Sequence, residues 1–311
     1  MERIAQAGNK ISHEEWLALR KKGIGGSDAG AICGMNPYMS PMAVYLDKTS
    51  DEIVENDNEA MRQGRDLEDY VARRFMEETG KKVRRTNYIL GNNKFPFMLA
   101  NVDRLICGEK AGLECKTVSA FGAAQWKELQ IPAHYAMQCY HYMAVTGADA
   151  WYLAVVILGS AFKYVKIERD EGVINNLISI EKKFWEGNVM AHVPPDPDGT
   201  DATDDVFRRC YFRTETGKSI HLDDVTEQLK RHEILTGFID KMTTEKKQIE
   251  QTLKVKMDDA ETAYAGEYVI NWKEIHSSRL DSNSLKVDKP EIYDQYCRDV
   301  ESRRFSIRKA G

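Results

Sequence analysis

Glu114-Cys115-Lys116 sets a carboxylate and an ammonium at alternate positions of a run, residues 112–117, that reads as a strand. Strand side chains alternate between faces, so Glu114 and Lys116 emerge together, roughly 7 Å apart along the chain. The motif alone is cheap. Glu181-x-Lys183 and Glu245-x-Lys247 repeat it, but in stretches predicted to be helical, where such positions diverge. The preceding run, residues 97–106, alternates so that Leu99, Asn101, Asp103 and Leu105 share one face. A hairpin loop over residues 107–110 that pairs Ile106 with Ala111 would bring Asp103 directly across from Glu114. Two carboxylates opposed at about 5 Å repel unless a cation lies between them. The cluster therefore reads either as a surface pair with Lys116 as counter-ion or as part of a divalent-metal site.

A third carboxylate favours the metal. Residues 58–79 read as a long helix closed by Gly80, with Gly64, Leu67, Val71 and Phe75 as its apolar stripe, and Glu68 falls within that stripe. A carboxylate on a buried face needs a partner, and a divalent ion is a good one. Gln138 is a weaker case. It lies between Tyr135 and Tyr142 on a helix opened by Pro132 and running to Thr146, and alone it reads as an ordinary polar helix residue. Nearer the N-terminus, Arg20 precedes Gly25-Gly26-Ser27-Asp28. Glycines permit close backbone approach, a helix start offers free N–H groups to an anion, and an arginine can grip a phosphate in bidentate fashion. The plainer reading is a turn and N-cap, with Asp28 pointing away as the cap.

These residues sit in an α/β alternation. Strands are expected at residues 83–90, 97–106, 112–117, 150–158 and 161–168, the last two joined at Gly159-Ser160, with a helix over 171–190. Pro194-Pro195-Asp196-Pro197-Asp198-Gly199, continuing acidic to Asp205, reads as a hydrated loop or linker; its spacing fails the EF-hand pattern. Beyond it Leu222, Val225, Leu229, Leu235, Ile239, Met242, Ile249 and Leu253 recur at helical steps, predicting a long amphipathic helix or helical hairpin. A strand over 267–274, a polar stretch through Pro290 and a last strand over 303–307 follow. This gives three segments: an α/β domain over 1–195 that carries these residues, a connection over 196–221 and an α+β appendage over 222–311. The appendage reads as a partner-docking surface or as plain support for an oligomer.

With 311 residues, 42% hydrophobic and 30% charged, the chain is globular in composition. No apolar run nears the ~18 residues of a membrane span. The first residues lack the apolar core of a secretory signal, and the six cysteines form no Cys-x-x-Cys pair, so a reduced, cytosolic protein is expected. A net charge of −5 argues against indiscriminate coating of nucleic acid but leaves room for a locally basic channel.

The order helix-Glu68, Asp103, Glu114-x-Lys116, then Gln138 on the next helix resembles the PD-(D/E)xK nuclease core, and specifically the lambda-exonuclease-like viral recombinase nucleases of phages and prophages. Trp16-Leu17-Ala18-Leu19-Arg20, Gly23-Ile24-Gly25-Gly26-Ser27-Asp28, Asn36-Pro37-Tyr38 with Ser40-Pro41, Gln63-Gly64-Arg65-x-x-Glu68 and Ala100-Asn101-Val102-Asp103 are similar to that family's signatures. The resemblance spans residues 10–192; Val102 stands where the core's name expects proline. It implies a restriction-endonuclease-like α/β (α+β) fold, a central mixed sheet flanked by helices. Asp103 and Glu114 would then hold two Mg²⁺ ions, replaceable by Mn²⁺, with Glu68 and the Cys115 backbone carbonyl completing the sites. Lys116 would orient or deprotonate the attacking water or offset charge at phosphorus, and Gln138 would position the water or the scissile phosphate. Arg20, Gly25, Gly26 and Ser27 would grip a 5′-phosphate, and Cys115 would serve only in packing.

The function implied is Mg²⁺-dependent 5′→3′ digestion of linear double-stranded DNA, leaving 3′ overhangs for recombination in the cytoplasm of an infected or prophage-carrying bacterium. The resemblance further implies a homo-oligomer, a ring-shaped trimer in relatives, and a single-strand annealing protein as partner. Two other readings stay open: an endonuclease of the same fold, and a non-catalytic DNA-end-binding module.

Overall fold

Ala150–Ile157 is an unbroken apolar run, the pattern of a strand covered on both faces. In the computed structural model, which describes residues 2–6, 11–51, 58–211 and 213–309, every residue of this strand is buried. The elements before it are β1 (Glu2–Gln6), α1 (His13–Lys21), α2 (Gly26–Ile32), α3 (Pro41–Thr49), α4 (Glu59–Thr79), β2 (Val83–Arg85), β3 (Tyr88–Gly91), β4 (Leu99–Ala100), β5 (Arg104–Ile106), β6 (Ala111–Val118) and α5 (Ala133–Thr146). The buried strand is β7, followed by β8 (Ala161–Glu168), α6 (Glu171–Phe184) and α7 (Asp201–Cys210). A 3₁₀ segment, Ala120–Leu129, links β6 to α5, and a π-helical turn, Trp185–Met190, extends α6.

The main sheet has the order β2-β5-β6-β7-β8 and is mixed: β6 and β7 run parallel through the α5 crossover, and the other neighbours are antiparallel. A smaller antiparallel sheet has the order β1-β3-β4. Alternation along β7 divides the core. Trp151, Leu153, Val155 and Ile157 join Met143, Ile174 and Met98 in one cluster, while Tyr152, Ala154 and Val156 join Val71, Ala72, Phe75 and Leu113 in the other. Helix α4 forms where expected: the Asn58 side chain accepts from the Met61 N–H at 2.9 Å, and Gly80 closes it in the left-handed region at φ 68°. Burying Val71 and Phe75 stabilises its docking by about 1.5–3 kcal/mol each.

Two of the expected strands are interrupted. Residues 83–90 divide into β2 and β3, which serve different sheets, and residues 97–106 divide into β4 and β5 with the Asp103 bend between them. The acidic stretch expected to be a loop as far as Asp205 becomes helical from Asp201. The Thr200 side chain caps it, Asp201 and Asp204 lie at its positive end, and Ala202 and Val206 face the core. The first compact unit runs Met1–Phe212 and includes α7.

The second unit, Arg213–Gly311, holds a single long helix α8 (Thr226–Met257), a hairpin of β9 (Thr262–Ala265) and β10 (Tyr268–Asn271), and two short helices, α9 (Ser282–Asp288) and α10 (Pro290–Tyr296). Helix α9 lies in the stretch read as merely polar, and α10 begins at its end, at Pro290. The strand expected at 303–307 does not form: among the described residues β9 and β10 pair only with each other, and residues 303–307 have no regular structure. Leu229, Leu235, Ile239, Met242 and Ile249 of α8 are exposed. No helix among the described residues is long and apolar enough to cross a membrane.

A fully buried ion-pair partner set ties α5 to α6 and β4. His141 Nδ1 lies 2.8 Å from Glu181 Oε1, and its Nε2 donates to the Leu99 carbonyl at 2.8 Å. Burial opposes the charged imidazole, but Glu181 outweighs it and raises the His141 pKa; burial raises that of Glu181 more than His141 lowers it. Both groups thus bind protons more tightly folded than unfolded, so the pair's contribution is complete below the ordinary glutamate range and declines as pH rises, first at Glu181 and then past the ordinary histidine range at His141. Glu181→Ala is expected to lower stability by about 3–5 kcal/mol in urea unfolding at neutral pH, because it strands the buried imidazole; an unchanged midpoint would deny the pair this role.

Candidate active site

The β5–β6 register pairs Arg104 with Leu113 and Leu105 with Gly112, and its continuation sets Asp103 across from Glu114, as the hairpin loop predicts. Asp103 sits just before β5, where its Oδ2 accepts from the Cys115 N–H at 2.8 Å. Glu114 is buried, and Lys116 Nζ lies 2.7 Å from its Oε1. From α5, Gln138 Nε2 donates to the same Oε1 at 2.7 Å and to the Tyr142 hydroxyl at 2.9 Å, while its Oε1 accepts from Lys116 Nζ at 3.0 Å. Gln138 is therefore no ordinary helix residue: it joins both ends of the Glu-x-Lys motif. The other Glu114 oxygen, Oε2, is buried and has no hydrogen-bond partner among the described residues.

The electrostatics match that geometry. Burial, then the Glu114 and Glu68 carboxylates, push the Asp103 pKa well above the usual range against the pull of the Cys115 N–H and Lys116. Burial works against the Lys116 ammonium, but Glu114 outweighs it, with Asp103 and Tyr135 adding, and the lysine stays protonated. Burial, with Asp103 and Glu114, likewise drives the Cys115 thiol upward, away from nucleophilic use and in keeping with a packing role.

Glu68 lies close enough to raise Asp103, but its own partner is Arg104, whose Nη1 bonds to Glu68 Oε1 and donates to the Asp103 carbonyl at 2.6 Å. The Nη2 of Arg104 lies 2.6 Å from Asp69, which Arg85 also reaches at 2.6 Å. Sequence reasoning missed Arg104. A guanidinium buried beside the Asp of a metal motif is the signal, but its burial comes from the docking of α4, which carries Glu68 and Asp69. Among the described residues no three His, Cys, Asp or Glu side chains are gathered as a metal cage. What the structure brings together is Asp103, Glu114, Lys116 and Gln138, with Glu68 alongside on Arg104. An unpartnered buried carboxylate oxygen facing a second carboxylate, in a hard oxygen donor set, fits a divalent cation.

The second predicted group abuts the first. The Ile24 N–H donates to the Phe97 carbonyl at 2.7 Å and the Leu99 N–H to the Ile24 carbonyl at 2.8 Å, which fixes the chain ahead of α2. Asp28 caps as expected, its Oδ2 accepting from the Gly25 N–H at 2.8 Å and pairing with buried Lys48 Nζ at 2.8 Å. The Gly25 N–H is thereby occupied, whereas the first N–H groups of α2, at Gly26 and Ser27, have no intrahelical partner. A Cβ on Gly26 would meet the Tyr142 ring at 2.4 Å and Gln138 Cγ at 3.1 Å, and one on Gly30 would meet His134 Cβ at 2.7 Å. Ser27 is exposed, and the Arg20 guanidinium lies over the Trp16 ring at 4.6 Å.

Residues 15–149, which hold every one of these side chains, match the model of the YqaJ-like viral recombinase domain. The protein YqaJ of Bacillus subtilis (strain 168), itself described as uncharacterized, is 38% identical over 312 residues, 99% of this chain and 98% of that protein. The chain belongs to the YqaJ-like viral recombinase family. This family member also shares its fold with an alkaline exonuclease, LHK-Exo from Laribacter hongkongensis, at a TM-score of 0.50 and 21% identity, over 58% of this chain and 94% of the other. LHK-Exo in complex with dAMP gives the same score, identity and coverage. The YqaJ-like chain thus has the mixed α/β fold of that exonuclease, a central mixed sheet flanked by helices, the fold class its motifs imply.

Proposed function

We propose that this protein is a divalent-metal-dependent deoxyribonuclease that digests linear duplex DNA from 5′-phosphorylated ends and leaves 3′ overhangs for recombination. The observation that carries this reading is the opposed Asp103–Glu114 pair, with an unpartnered Glu114 oxygen, beside the Lys116 ammonium. Asp103 and Glu114, with the Cys115 carbonyl, would hold Mg²⁺ or Mn²⁺; Glu68 would join them on leaving Arg104. Bound there, the ion supplies Lewis-acid chemistry, acidifying a water and shielding charge on the departing 3′-oxygen. Lys116 donates to the non-bridging oxygens of the phosphate under attack, and Gln138, held by Glu114, Lys116 and Tyr142, orients the water or that phosphate.

Digestion of matched linear and covalently closed circular duplexes tests the reading. Linear DNA should shorten from its 5′ ends only when Mg²⁺ or Mn²⁺ is present, and circles should survive. Cut circles would make the protein an endonuclease, and inert linear DNA would leave an end-binding module.

Of the expected set Arg20, Gly25, Gly26 and Ser27, Gly25 has its N–H taken by Asp28, and the other three are assigned to the 5′-phosphate because the start of α2 rests directly on Gln138 and Tyr142. A charge-assisted hydrogen bond contributes about 1.5–3 kcal/mol. Arg20→Ala should therefore cut the preference for 5′-phosphate over 5′-hydroxyl ends by about 10- to 100-fold. Equal loss on both kinds of end would contradict the assignment.

A further inference from the structure

Outside the carboxylate cluster, the segment Gly34–Pro37, residues Gln125 and Gln130, and the first turn of α5 enclose an open groove of about 430 Å³, within the 300–1,000 Å³ typical of ligand sites. Asn36 and Pro37, from the motif Asn36-Pro37-Tyr38 marked in the sequence, form one wall, and that motif has no part in the chemistry above. Met35 and Pro37 give the groove apolar surface, and Asn36, Gln125, Gln130 and His134 give it hydrogen-bonding groups. None of the described residues lining it is charged. His134 is 8% exposed, and its Nε2 is buried with no hydrogen-bond partner among the described residues.

The groove is one ring away from the proposed centre. The His134 ring lies 4.0 Å from that of Tyr135, and Tyr135 carries Lys116 Nζ 4.7 Å from its centroid. On the outer side, the Tyr38 ring meets His134 edge-on at 6.1 Å and is 71% exposed.

A phosphate would call for a cation in such a wall, and no described residue that lines it supplies one. A nucleobase has complementary needs: apolar faces, and an edge that both donates and accepts hydrogen bonds. Amide side chains offer both roles and so accept any base edge, and an exposed tyrosine offers a stacking surface. We propose that this groove receives a nucleobase at the 5′ end of the strand being digested, with Tyr38 stacking on it and Gln125 and His134 meeting its edge. This rests on the nuclease reading and deepens it: the lysine side would hold the phosphate, the groove the base.

The test is binding of the full chain to a fluorescein-labelled, 5′-phosphorylated duplex by anisotropy in EDTA, where hydrolysis is blocked. An abasic site is introduced in turn at each of the first three nucleotides of the 5′ end. Tyr38 and Gln125 are exposed, so the double variant Tyr38→Ala/Gln125→Ala keeps the fold, checked by its melting curve. At one of the three positions the abasic site should weaken wild-type binding about tenfold, the worth of one stacked base. The double variant should bind the intact duplex as weakly and no longer distinguish the two. His134→Gln should lose part of the same discrimination. Wild type indifferent to all three abasic sites, or a double variant that loses equally on intact and abasic DNA, overturns the groove and leaves the nuclease reading standing. Failure of wild type to bind any duplex end would sink both.

Discussion

Replacing Glu114 by glutamine is expected to cripple the proposed digestion of 5′-phosphorylated linear duplex while leaving the protein as stable as before. The two halves of that result have one cause. Glu114 faces Asp103 across the β5–β6 pair, and its charge, after burial, is the largest influence raising the Asp103 carboxyl. Removing it relieves a repulsion, and the glutamine carbonyl can still accept from Gln138 or Lys116. In metal-free buffer the melting temperature should stay within about 4 °C of wild type, the shift produced by ~1 kcal/mol in a domain of this size. Activity should fall by about 10³-fold or more, because several kcal/mol of charge stabilisation depend on the ion that the carboxylate holds. Digestion at the wild-type rate would remove Glu114 from the centre; a collapse in melting temperature would make it a structural residue.

Lys116→Ala should separate chemistry from metal binding. Lys116 Nζ reaches Glu114 at 2.7 Å and Gln138 at 3.0 Å, so it is oriented by the groups it serves. As a cation beside two carboxylates it competes with a divalent ion, and its removal cannot weaken that ion's binding electrostatically. Titration of the variant with Mn²⁺ should give an affinity at least equal to wild type, while turnover drops by about 10²- to 10³-fold. Weaker Mn²⁺ binding would instead mean that the lysine shapes the ligand set.

Much of this site is legible in the chain because strand geometry leaves few choices. Once the loop at 107–110 is assumed, alternation and register force Asp103 opposite Glu114, and the structure has that register. The partnership of Gln138 is not legible in the same way, since periodicity places it on a helix stripe without saying which strand that stripe covers. Arg104 is hidden for a related reason. It alternates to the other side from Asp103, and only the docking of α4 buries it against Glu68 and Asp69. The His141–Glu181 pair joins positions 40 apart that no local pattern connects. Helix α7 was legible after all, through Thr200 as cap, aspartates at the helix start, arginines at its end, and Ala202 and Val206 one turn apart; the aspartate count concealed it. The strand expected at 303–307 shows the limit of β-propensity, which cannot supply the neighbour a strand requires.

The bare glycine face of α2 has a mechanical consequence. Where two elements meet through long side chains, a small displacement is absorbed by rotamers. Where a backbone rests straight on its neighbour, as at Gly26 on the Tyr142 ring and Gly30 on the Cβ and backbone of His134, close packing leaves nothing to yield. A force on the front of α2 therefore arrives undamped at Gln138 and at the base-side groove together, and the three regions shift as one piece or stay put as one piece.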